Sequence, residues 1–111
     1  MQKLFVYVSG VAKGDPGPAA VGLMLTDEAG HVVERVSLLI GRAAQRVAEF
    51  KAVLEGARRA ASYAPEEAVI ITDSAPIANF ISGVSHPREP HLLYLRERTL
   101  EALEQLSKWR V

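Results

Sequence analysis

Short apolar runs separated by turn residues occupy the first 40 positions of the chain. The run at residues 4–8 is rich in β-branched and aromatic side chains and predicts a strand, and the runs at residues 20–26 and 31–40 predict two more. A further run at residues 68–72 predicts a fourth strand. Because the first and fourth runs are continuously apolar, we expect both strands to be buried on both faces of a sheet.

The period of the apolar residues changes to that of a helix at Gln45. Apolar residues then recur at steps of three and four until Pro65 ends the pattern, and they form one stripe: Val47, Phe50, Leu54, Ala57 and Ala61. After the fourth strand, Ser74 is a good N-cap and Gly83 a good C-cap for a short helix over residues 75–82.

The last third of the chain predicts a loop, a second long helix and one more strand. The loop covers residues 84–90, the helix residues 91–107, and residues 109–111 begin a strand at which the sequence stops. The expected buried side of the helix consists of leucines: Leu92, Leu93, Leu95, Leu100, Leu103 and Leu106.

The order of these elements, β-β-β-α-β-α-α-β, restricts the topology. Hairpins make the first three strands antiparallel, and a crossover helix returns the fourth strand parallel to the first. We therefore predict one α/β domain over residues 1–111, with a mixed five-stranded sheet flanked by helices, strands four and five parallel to strand one, and a truncated C-terminus. In such sheets ligands bind at the carboxyl ends of central strands, which is where Ser9 and Asp73 lie.

Composition narrows the choice of ligand and compartment. Thirteen basic and thirteen acidic residues cancel, so any affinity for nucleic acid has to come from a local surface. Without cysteine there is neither a disulfide nor a thiolate metal site, which suits a cytoplasmic protein. No apolar run approaches the roughly 18 residues that cross a bilayer, so no membrane partner is expected.

Three motifs, in order and at suitable spacing, resemble the type 1 ribonuclease H family. The first strand ends in Ser-Gly where the family has Asp-Gly, and the loop that follows reads Gly-Asp-Pro-Gly-Pro-Ala from Gly14. The predicted long helix opens with Gln-Arg-Val-Ala-Glu-Phe from Gln45, and the fourth strand ends in Thr-Asp-Ser at Ser74. The resemblance covers most of the chain and implies the ribonuclease H fold.

The resemblance also implies where the chemistry of the family takes place. Carboxylates in the family hold two Mg²⁺ ions that hydrolyse the RNA strand of an RNA–DNA hybrid. Glu49 and Asp73 match the second and third of these carboxylates, whereas Ser9 stands at the position of the first. The fourth belongs to a terminal helix that this sequence does not contain.

The missing first carboxylate predicts the loss of ordinary hydrolysis. Two dications about 4 Å apart repel each other by about 16 kcal/mol at an effective dielectric constant near 20, and a bridging carboxylate offsets much of that repulsion. The neutral Ser9 hydroxyl cannot do so. We expect Glu49 and Asp73 to bind at most one Mg²⁺ or Mn²⁺ ion, weakly. Asp15 is a candidate replacement, but the more ordinary role of an aspartate in such a loop is to cap a turn.

Five residues are candidate contacts to nucleic acid by the same resemblance: Gly14, Asp15, Gln45, Arg46 and Ser74. Each candidate has an ordinary structural alternative. Gln45 and Arg46 can be the polar start of a helix, Glu49 can be a solvated helix residue, and Asp73 can stabilise a helix N-terminus.

Three functions remain open after the sequence has been read. The first is a domain that binds RNA–DNA hybrid or RNA without ordinary hydrolysis. The second is a protein-interaction module, such as a homodimer formed through a sheet edge or the leucine-rich helix. The third is a residual metal-dependent ribonuclease acting on RNA–DNA hybrid.

Overall fold

Five strands and three helices form the computed structural model, which describes residues 1–111. In chain order they are β1 (Lys3–Ala12), β2 (Gly17–Thr26), β3 (Val32–Ala43), α1 (Gln45–Ser62), β4 (Glu67–Thr72), α2 (Ala75–Ser82), α3 (Pro90–Glu104) and β5 (Trp109–Arg110). Every predicted element is therefore present. The strands extend beyond the apolar runs because residues at their ends also pair with neighbouring strands.

The sheet has the strand order β3-β2-β1-β4-β5. β1 and β2 are antiparallel, as are β2 and β3, whereas β4 runs parallel to both β1 and β5. This arrangement confirms the predicted mixed sheet. In its register Val8 of β1 lies beside Thr72 of β4, so these two central strands end at the same edge of the sheet.

One face of the sheet is covered by the helices and the other is not. Leu4, Val6 and Val8 are buried in a core cluster to which all three helices contribute. Tyr7, which lies between Val6 and Val8, and Ser9, which follows Val8, are exposed. β4 is likewise buried on one face only. The prediction that both strands are buried on both faces was wrong, because a continuous apolar run does not reveal whether helices cover a second face.

The short helix α2 confirms its predicted caps and bounds. The Ser74 Oγ accepts a hydrogen bond from the Ile77 N–H at 3.3 Å, and Gly83 has the left-handed φ of 83° that follows many helix ends.

The long helix α3 departs from its prediction at both ends. It begins one residue earlier, at Pro90, and ends three residues earlier, at Glu104. Leu93 is 42% exposed, so its assignment to the buried side was wrong. Leu93 follows the buried Leu92 directly, and adjacent helix residues point in different directions. None of the three helices combines the length and the apolar character needed to cross a membrane.

Candidate nucleic-acid site

The three positions matched to family carboxylates lie at one end of the sheet. Ser9 and Asp73 each come one residue after the paired residues Val8 and Thr72, so they follow neighbouring parallel strands. Gly10 brings the third position close, because its backbone packs directly against the first turn of α1. A Cβ on Gly10 would lie 2.3 Å from the Ala48 carbonyl oxygen and 2.7 Å from the Glu49 nitrogen, so only glycine permits this approach.

Gln45 fixes α1 to the end of β1. Its side-chain amide donates to the Gly10 carbonyl at 2.8 Å and to the Glu49 Oε2 at 3.1 Å, and its Oε1 accepts from the Ala12 N–H at 2.9 Å. Both amide hydrogens therefore have partners within the protein. In this arrangement Gln45 positions the first turn of α1, and its predicted contact with phosphate stays a prediction.

The two acidic side chains of the site differ in their surroundings. The Glu49 side chain is only 12% exposed, and its Oε1 accepts from the Arg46 guanidinium at 2.7 Å. Because the Gln45 amide donates to Oε2, both oxygens of this carboxylate accept hydrogen bonds within the protein. Asp73 is exposed and its side chain forms neither a hydrogen bond nor an ion pair. One carboxylate is thus neutralised within the protein, and the other faces solvent.

The residues at this edge do not fit a pair of divalent ions. Nowhere in the chain do three His, Cys, Asp or Glu side chains come close enough together to hold a metal ion. Glu49 would also have to leave Arg46 before it could serve as a ligand. Mg²⁺ takes carboxylate ligands and otherwise keeps its water, so the Ser9 hydroxyl is a poor substitute for a third carboxylate.

The glycine-proline loop between β1 and β2 lies beside the start of α1. Asp15 lines a shallow cavity of about 390 Å³ together with Gln45, Arg46, Glu89 and His91. The loop and the first turn of α1 therefore lie side by side. The Asp15 side chain accepts no hydrogen bond, so the interpretation that it caps a turn was wrong. Asp27, in the next turn, forms such bonds, from the Ala29 and His31 N–H groups.

Ser74 is placed differently from the other candidate contacts. It is buried, and its hydroxyl is used as the N-cap of α2. Its predicted role in nucleic-acid binding stays a prediction.

Sequence reasoning missed Arg35. A groove of about 390 Å³ on the uncovered face joins Ser9 to Arg35 and Ser37 of β3. The register of the two hairpins could have indicated this residue. It pairs Ser9 of β1 with Gly22 of β2, and Gly22 with Ser37 of β3. Side chains opposite each other on one face of a sheet lie about 5 Å apart, so this register links β3 to the site.

Comparison with known proteins agrees with this geometry. A family model described as reverse transcriptase-like matches residues 7–111. Ribonuclease HI of Halobacterium salinarum is 29% identical over 109 residues, which cover 98% of this chain and 55% of that protein. The bifunctional protein Rv2228c of Mycobacterium tuberculosis is 31% identical over 94 residues, covering 84% of this chain and 26% of that protein. The chain thus spans about half of the first relative's length and about a quarter of the second's.

Solved structures show the same fold. The crystal structure of RNase H1 from Halobacterium salinarum has a TM-score of 0.93 at 30% identity, covering 97% of this chain and 82% of that one. LC11-RNase H1 in complex with an RNA/DNA hybrid has a TM-score of 0.89 at 25% identity, covering 96% of this chain and 81% of that one. The chain therefore belongs to the reverse transcriptase-like family and has the fold of type 1 ribonuclease H.

Proposed function

We propose that this chain binds RNA–DNA hybrid, or RNA, at the edge formed by Ser9, Glu49 and Asp73, and that it lacks ordinary two-metal hydrolysis. The observation that carries the proposal is the serine at the end of β1, beside Glu49 and Asp73, the two residues that the resemblance matches to carboxylates of the family. A relative with a TM-score of 0.89 has been solved with an RNA/DNA hybrid bound, which supports hybrid as the ligand.

Arg46 supplies the positive charge that such a ligand needs at this edge. Its side chain is 44% exposed although it pairs with Glu49, so one side of the guanidinium faces solvent beside the Asp15 loop. An arginine has five N–H donors, and a single carboxylate oxygen leaves most of them free for a phosphate. The acidic Asp15 and Glu89 in the same cavity oppose a phosphate there. The expected affinity is therefore modest.

A titration with labelled RNA–DNA hybrid tests binding. We expect micromolar affinity that weakens steeply as salt rises, because phosphate contacts release counterions. Arg46→Gln should weaken binding several-fold and make its salt dependence shallower. Arg58→Gln is the matched control, since Arg58 lies on the same helix and also pairs with a glutamate three residues away. Absence of binding at low salt, or an equal loss in both variants, contradicts the proposal.

Restoring the missing charge tests the metal site. In water a carboxylate and a dication about 4 Å apart attract by about 2 kcal/mol, or roughly thirtyfold in affinity. Ser9→Asp should therefore bind Mn²⁺ at least tenfold more tightly than the unaltered chain, as measured by calorimetry. Ser37→Asp places the same charge in the same groove but on β3, and it should leave Mn²⁺ affinity nearly unchanged.

A cleavage assay on RNA–DNA hybrid with the unaltered chain and with Ser9→Asp completes the test. The unaltered chain should leave a labelled RNA–DNA hybrid intact in Mg²⁺ or Mn²⁺. Cleavage by the unaltered chain that is lost in both Glu49→Gln and Asp73→Asn would show that the inherited site still works and would overturn the loss of hydrolysis. Cleavage gained only by Ser9→Asp would show that the first carboxylate is the component that is missing.

A further inference from the structure

The ion pair between Arg46 and Glu49 lies within the first turn of α1. The Arg46 guanidinium donates to the Glu49 Oε1 at 2.7 Å, and residues three apart face each other on a helix. The pair therefore depends on the rotamers of two side chains in one helical turn. The other oxygen, Oε2, accepts from the Gln45 amide at 3.1 Å, and the same amide also donates to the Gly10 carbonyl at 2.8 Å. Glu49 is thus held from both sides.

This arrangement disfavours a divalent ion at Glu49. A carboxylate oxygen that binds Mg²⁺ lies about 2.0–2.1 Å from the ion, which is closer than the Arg46 nitrogen lies to the same Oε1. The Glu49 side chain is only 12% exposed, so an ion has few approaches that avoid the two donors. An ion that did bind would also be repelled by the guanidinium. At about 5 Å in water that repulsion weakens ion binding roughly fifteenfold.

The Arg46 guanidinium faces solvent on its other side. Its side chain is 44% exposed and lines the cavity of about 390 Å³ beside the Asp15 loop. A guanidinium has five N–H donors in a rigid fork, and Glu49 accepts from only one of its nitrogens. Arg46 can therefore hold a carboxylate and a phosphate at the same time. A divalent ion has the same capacity when it binds protein carboxylates and substrate phosphates together.

We propose that the Arg46 guanidinium is the built-in cation of this edge, which pairs with Glu49 in place of a divalent ion and contacts the phosphate itself. The inference rests on the proposed function, because it takes RNA–DNA hybrid or RNA as the ligand. It also gives Glu49 a task other than metal binding, since this carboxylate orients Arg46 toward the ligand. Nucleic-acid binding at this edge therefore requires no divalent ion.

Calorimetric titration with Mn²⁺, without nucleic acid, tests whether Arg46 keeps ions from Glu49. Arg46→Gln should bind Mn²⁺ about five- to tenfold more tightly than the unaltered chain, because the competing charge is gone. The gain should disappear when Arg46→Gln is combined with Glu49→Gln, since Glu49 is the carboxylate that becomes free. Arg46→Lys keeps the charge and should bind Mn²⁺ as weakly as the unaltered chain.

Lys51→Gln is the matched control for the loss of a positive charge. Lys51 lies on α1 two residues after Glu49 and takes part in no ion pair. Residues two apart on a helix do not face each other, and Lys51 borders β3 at Leu38 and Ile40 instead. This variant should change Mn²⁺ affinity by less than about twofold, because exposed charges are screened by water and salt. An equal gain in Lys51→Gln, or no gain in Arg46→Gln, overturns the proposal.

Fluorescence anisotropy with labelled RNA–DNA hybrid, in EDTA and in Mn²⁺ at matched ionic strength, tests the phosphate contact. The unaltered chain should bind hybrid no more tightly in Mn²⁺ than in EDTA. Arg46→Gln should bind several-fold more weakly in EDTA, and Mn²⁺ should strengthen its binding about threefold or more, because an ion at Glu49 restores the missing charge. The proposal is overturned if Mn²⁺ strengthens hybrid binding by the unaltered chain as much as by Arg46→Gln.

The inference and the proposed function can fail separately in these two assays. Hybrid binding by the unaltered chain, with no gain of Mn²⁺ affinity in Arg46→Gln, would contradict the inference and leave the proposed function intact. Tighter Mn²⁺ binding by Arg46→Gln, with no hybrid binding in any condition, would contradict the proposed function. The phosphate contact would then be lost as well, whereas the competition between Arg46 and a divalent ion for Glu49 would stand.

Discussion

The two faces of the sheet carry similar apolar residues but differ in how far those residues are buried. On the covered face, Leu25 and Val6 are fully buried against helices and contribute to folding. On the uncovered face, Leu39 and Val11 are equally apolar, yet they lie in solvent among unpaired cations. The removal of apolar surface from water is the main source of folding stability, so an apolar residue that remains exposed adds little to it. The difference teaches that the same residue types form the core on one face and stay exposed on the other, according to where the helices pack.

The largest expected effect comes from removing one leucine from each face. Leu25→Ala should reduce the free energy of unfolding by about 2–5 kcal/mol, because a fully buried leucine leaves a cavity. Leu39→Ala, the same change on the uncovered face, should change it by less than about 0.5 kcal/mol. Urea denaturation followed by circular dichroism measures both. A loss of several kcal/mol in Leu39→Ala would mean that this face is packed in solution, and the contrast between the faces would disappear.

Replacing one glycine on each face with alanine should give the next largest difference in stability. A Cβ on Gly10 would meet the backbone of α1 at 2.3 Å, so Gly10→Ala should push the helix from the sheet and cost about 1–3 kcal/mol. Gly22 faces the open side, where a Cβ would meet only the Ser9 hydroxyl, at 3.4 Å. Gly22→Ala should raise the free energy of unfolding by roughly 0.5 kcal/mol, because alanine loses less backbone entropy on folding. Equal destabilisation by both changes would contradict the close approach of α1 to β1.

Much of the covered half could be predicted from the sequence. The helical period from Gln45, the caps at Ser74 and Gly83 and the run of β4 all reflect local preferences that the structure keeps. The uncovered face could not be predicted in this way. Periodicity reports which residues are apolar, but whether a second layer covers them depends on where the helices pack, which is a long-range property.

The site was predictable as a set of positions and not as a set of contacts. The resemblance singled out Ser9, Glu49 and Asp73, and these positions lie together because two of them follow neighbouring strands and the third is at the start of α1. That Arg46 and Gln45 would both engage Glu49 depends on side-chain rotamers within one helical turn. The place of Arg35 depends on the register of a hairpin, and a shift by one residue would have put it on the other face.

A smaller, pH-dependent contrast separates two adjacent residues of β3. Glu34 reaches the covered side, where the Tyr63 hydroxyl donates to its Oε1 at 2.8 Å and the Arg59 guanidinium donates to its Oε2. The Tyr63 hydrogen bond and then the Arg59 hydrogen bond lower the pKa of Glu34 below its usual 4.5. The same contact raises the pKa of Tyr63. Arg35, the next residue, lies on the uncovered face without an ion pair.

Glu34→Gln should therefore lower the free energy of unfolding by about 0.2–1 kcal/mol at pH 7, the usual range for an exposed or partly exposed ion pair. A carboxylate whose pKa is lowered by folding stabilises the protein above its unfolded pKa and stops doing so as pH falls through the folded value. The difference between Glu34→Gln and the unaltered chain should thus shrink below about pH 4.5. Urea denaturation at steps from pH 7 to pH 3 measures it. Arg35→Gln should show neither the loss at pH 7 nor the pH dependence, and a matching loss there would mean that the uncovered face also contributes charge pairs to folding.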